Sequence, residues 1–131
     1  MRTSIVAFIL FVTVFQLQAQ SGTQTDSLKQ DQFRGVWVID LRPTENADPY
    51  LKEFVVEPDS TGTFQGLFYG SQIIEGRINT NWDKVYFAFS TKDQNHSYYH
   101  SGYVQDNKIY GMSYCPGRAF VAPWTGEKKN K

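Results

Sequence analysis

Apolar and polar residues alternate in eight short runs between about residue 33 and residue 124. In the first run Phe33, Trp37 and Ile39 occupy one set of alternate positions, and Arg34 and Asp40 occupy the other. Alternation with a period of two is typical of β-strands that bury one face. The predicted strands are residues 33–41, 50–57, 63–69, 74–78, 85–91, 96–104, 108–114 and 118–124.

Turn signals separate these runs and keep the connections short. They include Pro-Asp-Ser-Thr-Gly at residues 58–62, Asp-Asn at residues 106–107 and Pro-Gly at residues 116–117, all of which are typical of tight turns. No segment has a convincing helical period. Short links predict a meander, and closing eight strands into a ring removes exposed sheet edges. We therefore predict an all-β fold, an eight-stranded antiparallel up-and-down meander barrel.

The first 19 residues have the order of a secretory signal peptide. Arg2 precedes an apolar run at residues 5–15, and a small-residue cleavage site follows at residues 17–19. That run is short for a membrane-spanning helix, and a retained anchor is the alternative. The predicted organisation is a signal peptide at 1–19, a flexible polar arm at 20–32, the barrel at 33–125 and a basic tail at 126–131. Leader removal predicts a secreted or periplasmic protein without a membrane span.

Charge and cysteine content narrow the choice of partners. The chain has 13 basic and 13 acidic residues, and the leader contains only Arg2 among them. A nearly neutral chain has no bulk attraction for nucleic acid, so no nucleic-acid partner is expected. Cys115 is the only cysteine. It has no disulfide partner within the chain, and beside a turn we expect it to fill a small apolar space.

Candidate catalytic and metal-binding groups are few. His96 and His100 are four residues apart, which on a strand separates them by about 13 Å and prevents them from sharing a metal. We expect both histidines to be exposed, and we expect neither a metal nor a cofactor. No nucleophile elbow or paired-carboxylate motif organises the Ser, Asp and Glu residues, so the sequence does not predict an enzyme.

The Gly-Val-Trp sequence at residues 35–37, on the first strand of an eight-strand meander, resembles the lipocalin signature of the calycin superfamily. Residues 62–66 and 101–103 are similar in spacing to the avidin-type meander. The resemblance implies a small binding barrel, with a basic residue late on the last strand against the tryptophan. Here Arg118 begins the predicted last strand, and we expect Trp124 beside that tryptophan. The residues that contact biotin in avidins have no counterparts in this sequence, so the resemblance does not imply biotin binding.

The barrel end opposite Trp37 carries the long loop at residues 42–49 and is the predicted binding end. Inward positions near it combine phenyl rings with one arginine, one tyrosine and one serine. This combination suits an apolar molecule with an anionic or polar head. The predicted ligand-binding residues are Phe54, Phe68, Phe89, Tyr99, Ser101, Arg118 and Phe120. The sequence therefore predicts a barrel that binds an apolar or amphipathic small molecule.

Two other functions fit the same pattern. One is a protein-binding barrel, such as a calycin-like protease inhibitor that inserts its arm, residues 20–32, into an enzyme cleft. The other is an envelope structural protein without a ligand, in which side chains fill the interior. Tyrosines of the sixth and seventh strands form a phenol-rich face that suits a cavity mouth or a protein-docking surface. These are Tyr98, Tyr99, Tyr103, Tyr110 and Tyr114.

Overall fold

The structure is a computed structural model that describes residue 22 and residues 24–130. The predicted signal peptide, residues 1–19, lies outside the described residues. Strands account for most of the described chain, and they are joined by short turns. They are β1 (Gly35–Asp40), β2 (Leu51–Pro58), β3 (Thr63–Phe68), β4 (Ser71–Gln72), β5 (Ile74–Asn79), β6 (Val85–Lys92), β7 (Ser97–Gln105), β8 (Lys108–Cys115) and β9 (Phe120–Lys128).

The strands form one closed ring in which every pair of neighbours is antiparallel. Each strand pairs with the next along the chain, except that β4 and β5 do not pair with each other, and β1 also pairs with β9. The two short strands β4 and β5 both pair with β3 and together form one side of the ring, interrupted at Ile73. The fold is therefore a closed eight-stranded antiparallel meander barrel, which confirms the fold predicted from the alternation.

Phenylalanine rings fill the middle of the barrel. Phe54 lies at their centre, with ring centroids 5.9 Å from Phe33, 5.3 Å from Phe68 and 5.1 Å from Phe89. All four rings are buried. Aromatic pairs at such distances add to the free energy gained from burying their area. The packed middle separates the two ends of the barrel.

Two glycines allow close approaches that position this core. Gly66 in β3 has φ of 142°, and a Cβ there would lie 1.9 Å from the carbonyl oxygen of Val55. A Cβ on Gly111 in β8 would lie 2.2 Å from the indole of Trp124. Gly111 thus leaves the space in which the indole ring packs across the inner face of the sheet.

A helix over residues 24–33 closes the end of the barrel where β1 begins. The prediction of a flexible arm over residues 20–32 is therefore wrong for its described part from residue 24 onward. Phe33, which the sequence placed in the first strand, ends the helix and is fully buried, stacked on Phe87 at 4.8 Å. The indole Nε1 of Trp37 donates a 2.9 Å hydrogen bond to the Phe33 carbonyl. The Nζ of Lys29 donates to the carbonyls of Thr80 and Trp82 at 2.8 Å and 2.6 Å.

The prediction of a solvated basic tail from residue 126 is also wrong, because β9 continues to Lys128. Lys128 pairs with Trp37, and its Nζ lies 5.2 Å from the centroid of that indole. The backbone N–H of Lys129 donates to the Val36 carbonyl at 2.8 Å. The expectation that Trp124 lies beside Trp37 is wrong, since Lys128 takes that place. Trp124 packs on Phe68, with centroids 5.3 Å apart, nearer the other end of the barrel.

None of the helices among the described residues is long and apolar enough to cross a membrane.

Candidate ligand-binding site

A cavity of about 350 Å³ lies at the end of the barrel opposite the N-terminal helix. Four buried residues form what we call the floor: Thr91, His100, Ser113 and Trp124. Apolar side chains form the wall: Leu41, Phe68, Phe120, Ala122 and Pro123. Partly or fully exposed groups form the mouth: Tyr50, Tyr69, Ser71, Asp93, Tyr98 and Arg118. The floor is polar and buried, the wall is apolar, and the mouth carries the charges.

Strand register brings the floor residues together. His100 in β7 and Ser113 in β8 are direct cross-strand partners, and both point into the barrel. The Nδ1 of His100 lies 2.7 Å from Ser113 Oγ, and its Nε2 lies 3.0 Å from Thr91 Oγ1. The indole Nε1 of Trp124 donates to Ser113 Oγ at 2.9 Å. The floor is thus a continuous hydrogen-bonded chain from an indole to a threonine hydroxyl.

The imidazole of His100 packs against two neighbouring phenyl rings. Its centroid lies 4.6 Å from Phe89, nearly parallel, and 4.4 Å from Phe68. Burial among these rings lowers the pKa of His100 from 6.5 to about 4, because the charged form loses its hydration. His100 is therefore neutral at pH 7 and has one N–H donor and one acceptor nitrogen.

One side of the mouth carries a short polar relay. The guanidinium of Arg118 donates to the Tyr98 hydroxyl at 3.2 Å, and that hydroxyl donates to the Asp93 carboxylate at 2.8 Å. The Asn95 backbone N–H, with Tyr98, lowers the pKa of Asp93. Arg118 also lies over the Phe120 ring at 5.7 Å. The guanidinium is oriented by these contacts and still reaches water, so it can meet an anion at the mouth.

The opposite side of the mouth is built from two tyrosines. The hydroxyls of Tyr50 and Tyr69 hydrogen-bond to each other, and this bond lowers the pKa of Tyr50 and raises that of Tyr69. The Nζ of Lys52 lies 4.6 Å and 5.2 Å from their ring centroids. The Asp40 carboxylate accepts from the Tyr50 backbone N–H at 3.1 Å and closes the loop at residues 41–50. Lys52 therefore adds a second positive charge near this entrance.

The structure brings together three of the seven predicted site residues at the cavity, namely Phe68, Arg118 and Phe120. Phe54 and Phe89 point inward as predicted and lie in the core beneath the floor. Arg118 was predicted to begin the last strand. It lies instead in a 3₁₀ turn at Pro116–Arg118, which places its exposed side chain at the mouth.

The predicted inward positions of Tyr99 and Ser101 are wrong. Both side chains are exposed on the outer face of β7. Phe89 pairs with His100, and since Phe89 points inward its cross-strand partner does too. His100 is consequently buried, so the expectation that both histidines are exposed is wrong for this one.

A sequence signal for the correct face exists in the hairpin at residues 106–107. That two-residue turn pairs Val104 with Ile109, and both are buried apolar residues. Counting back in steps of two from Val104 places His100 on the inner face. The floor residues that sequence reasoning missed are Thr91, His100, Ser113 and Trp124.

The phenol-rich face lies mostly outside the barrel. Tyr103 stacks on Tyr110 at 5.1 Å, and Tyr99 lies 6.5 Å from Tyr114, both across the outer face of β7 and β8. Tyr98 is the member of this set that reaches the cavity mouth.

Cys115 is buried beside the turn, as predicted, and is a free thiol. Residues 22 and 24–130 contain no group of three or more His, Cys, Asp or Glu side chains placed to hold a metal ion. Comparison with protein-family models, curated proteins and solved structures finds no match to this chain.

Proposed function

We propose that this protein is an exported, calycin-like barrel that binds a small amphipathic molecule in the cavity opposite its N-terminal helix. The observation that carries the proposal is the layering of the cavity: a buried uncharged floor, an apolar wall and an arginine at the mouth. A cavity of about 350 Å³ lies at the lower end of the range typical of small-molecule sites. The export step rests on the leader sequence alone.

The calycin-like assignment is supported by contacts around Trp37. This tryptophan belongs to the Gly-Val-Trp sequence at residues 35–37, near the start of the first strand of a closed meander. Late on the last strand, Lys128 stands over its indole ring at 5.2 Å. A basic residue at this place is what the lipocalin resemblance implies.

Binding is better supported than hydrolysis, although Ser113 and His100 are as close as a nucleophile and its base. The second imidazole nitrogen of His100 meets the hydroxyl of Thr91, where a hydrolytic triad has a carboxylate. A histidine with its pKa lowered to about 4 is a weak base at neutral pH. The indole of Trp124 also holds Ser113 Oγ as an acceptor.

The rival function of an inhibitor that inserts its arm into an enzyme needs a free arm. Residues 24–33 are instead tied to the barrel through buried Phe33 and the Lys29 hydrogen bonds. We therefore place the binding function at the opposite end.

The test begins with native mass spectrometry of protein purified without denaturation, in which we expect a retained small mass. Short aryl and alkyl carboxylates are then titrated by calorimetry into the wild type, Arg118→Met and Arg77→Met. Arg118→Met is expected to weaken binding about fivefold, the effect of an ion pair that stays in contact with water. Arg77 lies on the outer face away from this cavity, and its variant should bind like the wild type. Absence of any bound mass and of any carboxylate binding would overturn the proposal.

A further inference from the structure

We infer that the ligand of this cavity carries an uncharged oxygen, a hydroxyl or carbonyl group, at the end that enters first, and that the floor recognises this oxygen. The inference rests on the proposed function and adds the chemical class: a compact acid with an apolar middle and a neutral oxygen at its far end. The carboxylate then stays at the mouth with Arg118.

The Ser113 oxygen already accepts the indole N–H of Trp124 at 2.9 Å. Neutral His100 has one N–H and one lone pair for its two hydroxyl partners. When Nδ1 carries the proton, it donates to Ser113, Thr91 donates to Nε2, and the Ser113 proton is left over. When Nε2 carries the proton, it donates to Thr91, Ser113 donates to Nδ1, and the Thr91 proton is left over. Either tautomer leaves one hydroxyl proton for another acceptor.

That acceptor lies outside the floor. Within the described part of the chain, the side-chain hydroxyls of Thr91 and Ser113 have no hydrogen-bond partners other than His100 and Trp124. Both residues line the cavity and are 5% exposed. The spare proton is therefore available to an occupant of the cavity. A ligand oxygen accepts a hydrogen bond from the spare hydroxyl proton. A ligand C–H group displaces water from this proton and leaves it without an acceptor, which weakens binding.

The floor also selects against a charged inner end. Neutral His100 supplies no positive charge, and the phenyl rings of Phe68 and Phe89 pack against its ring. A carboxylate pushed to this depth loses its hydration without gaining a counter-ion. At the mouth the same carboxylate meets the guanidinium of Arg118, which is exposed to water. Both ends of the cavity thus favour the same orientation.

The experiment compares matched pairs of acids that differ by one hydroxyl. Para-hydroxyphenyl and phenyl derivatives of acetate, propionate and butyrate are titrated into the wild type, Ser113→Ala, Thr91→Val and Arg118→Met. In the wild type we expect the hydroxylated acid of the best-fitting pair to bind about tenfold more tightly. Ser113→Ala and Thr91→Val each change which floor atoms carry a spare proton, so each should alter this preference relative to the wild type. Arg118→Met should weaken both acids equally and leave the preference unchanged.

A second measurement covers the case in which a floor variant does not fold. The imidazole ¹⁵N shifts of wild-type His100 report its tautomer, and His96→Gln assigns the signals because the chain has two histidines. The hydroxylated acid should change these shifts by selecting one tautomer, and its partner acid should not. Equal binding of both acids with an intact Arg118 effect would overturn this inference and leave the proposed function standing. No binding of any acid would overturn both.

Discussion

Acidification from pH 7 to pH 4 is expected to destabilise the fold through His100. The pKa of this histidine is lowered from its ordinary value of 6.5 to about 4 by burial. Between these two values the unfolded chain takes up a proton that the folded protein does not. The free energy of unfolding therefore falls as pH drops through this window, and most of the loss has occurred by pH 4. The difference between the two pKa values corresponds to about 3 kcal/mol.

The matched comparison is wild type against His100→Gln, because glutamine keeps a donor and an acceptor at this position and does not titrate. Urea unfolding at pH 7, 5.5 and 4 gives the free energy of unfolding of each protein. The wild type should lose about 3 kcal/mol more than the variant over this range. Asp40, Asp59 and Asp93 also have lowered pKa values, but they are present in both proteins and cancel. Parallel pH profiles, or an NMR titration of His100 with a midpoint near 6.5, would contradict this expectation.

Two further substitutions test the closed end and the strand packing. Phe33→Ala should lower the free energy of unfolding by about 3–5 kcal/mol, as for a phenyl ring removed from a core. Leu28→Ala, at an exposed position of the same helix, should change the free energy of unfolding by less than about 0.5 kcal/mol. Equal losses in urea titrations would mean that the helix does not seal the barrel. Gly66→Ala should prevent folding, because its Cβ would lie 1.9 Å from the Val55 carbonyl oxygen. Gly70→Ala, with open space around its Cβ, should cost only about 1–2 kcal/mol in backbone strain; circular dichroism and thermal melts that rank the two variants equally would contradict this.

The barrel was predictable because its information is local. Alternation and turn residues identify strands one at a time, and closure follows from their number and short links. The face of one strand was not predictable in the same way. In β7 tyrosines alternate with a histidine and a glycine, so hydrophobicity favours the wrong face. The side chain of Tyr99 has an apolar body that tolerates the outer surface, while His100 is buried through its partners in β6 and β8.

The N-terminal helix has no such local signal. Residues 24–32 are mostly polar, and Leu28 is exposed. The helix is held by one buried ring at its end, Phe33, and by hydrogen bonds that Lys29 makes to carbonyls more than fifty residues away. Contacts of this range are properties of the finished barrel, which stabilises the helix by tertiary packing. Tertiary contacts also explain why the last strand extends into the predicted tail, since Lys128 pairs with Trp37 in the finished barrel.

The two ends of the barrel are connected through aromatic packing. A chain of neighbouring rings links them. The centroid distances are 5.9 Å between Phe33 and Phe54, 5.1 Å between Phe54 and Phe89, and 4.6 Å between Phe89 and His100. The helix that closes one end thus supports the ring that carries the floor of the cavity at the other. Close-packed interiors transmit small displacements. The position of the floor therefore depends on Phe33, which follows a polar segment of the sequence. This dependence explains why Phe33, which never meets the cavity, belongs to the structural basis of the candidate site.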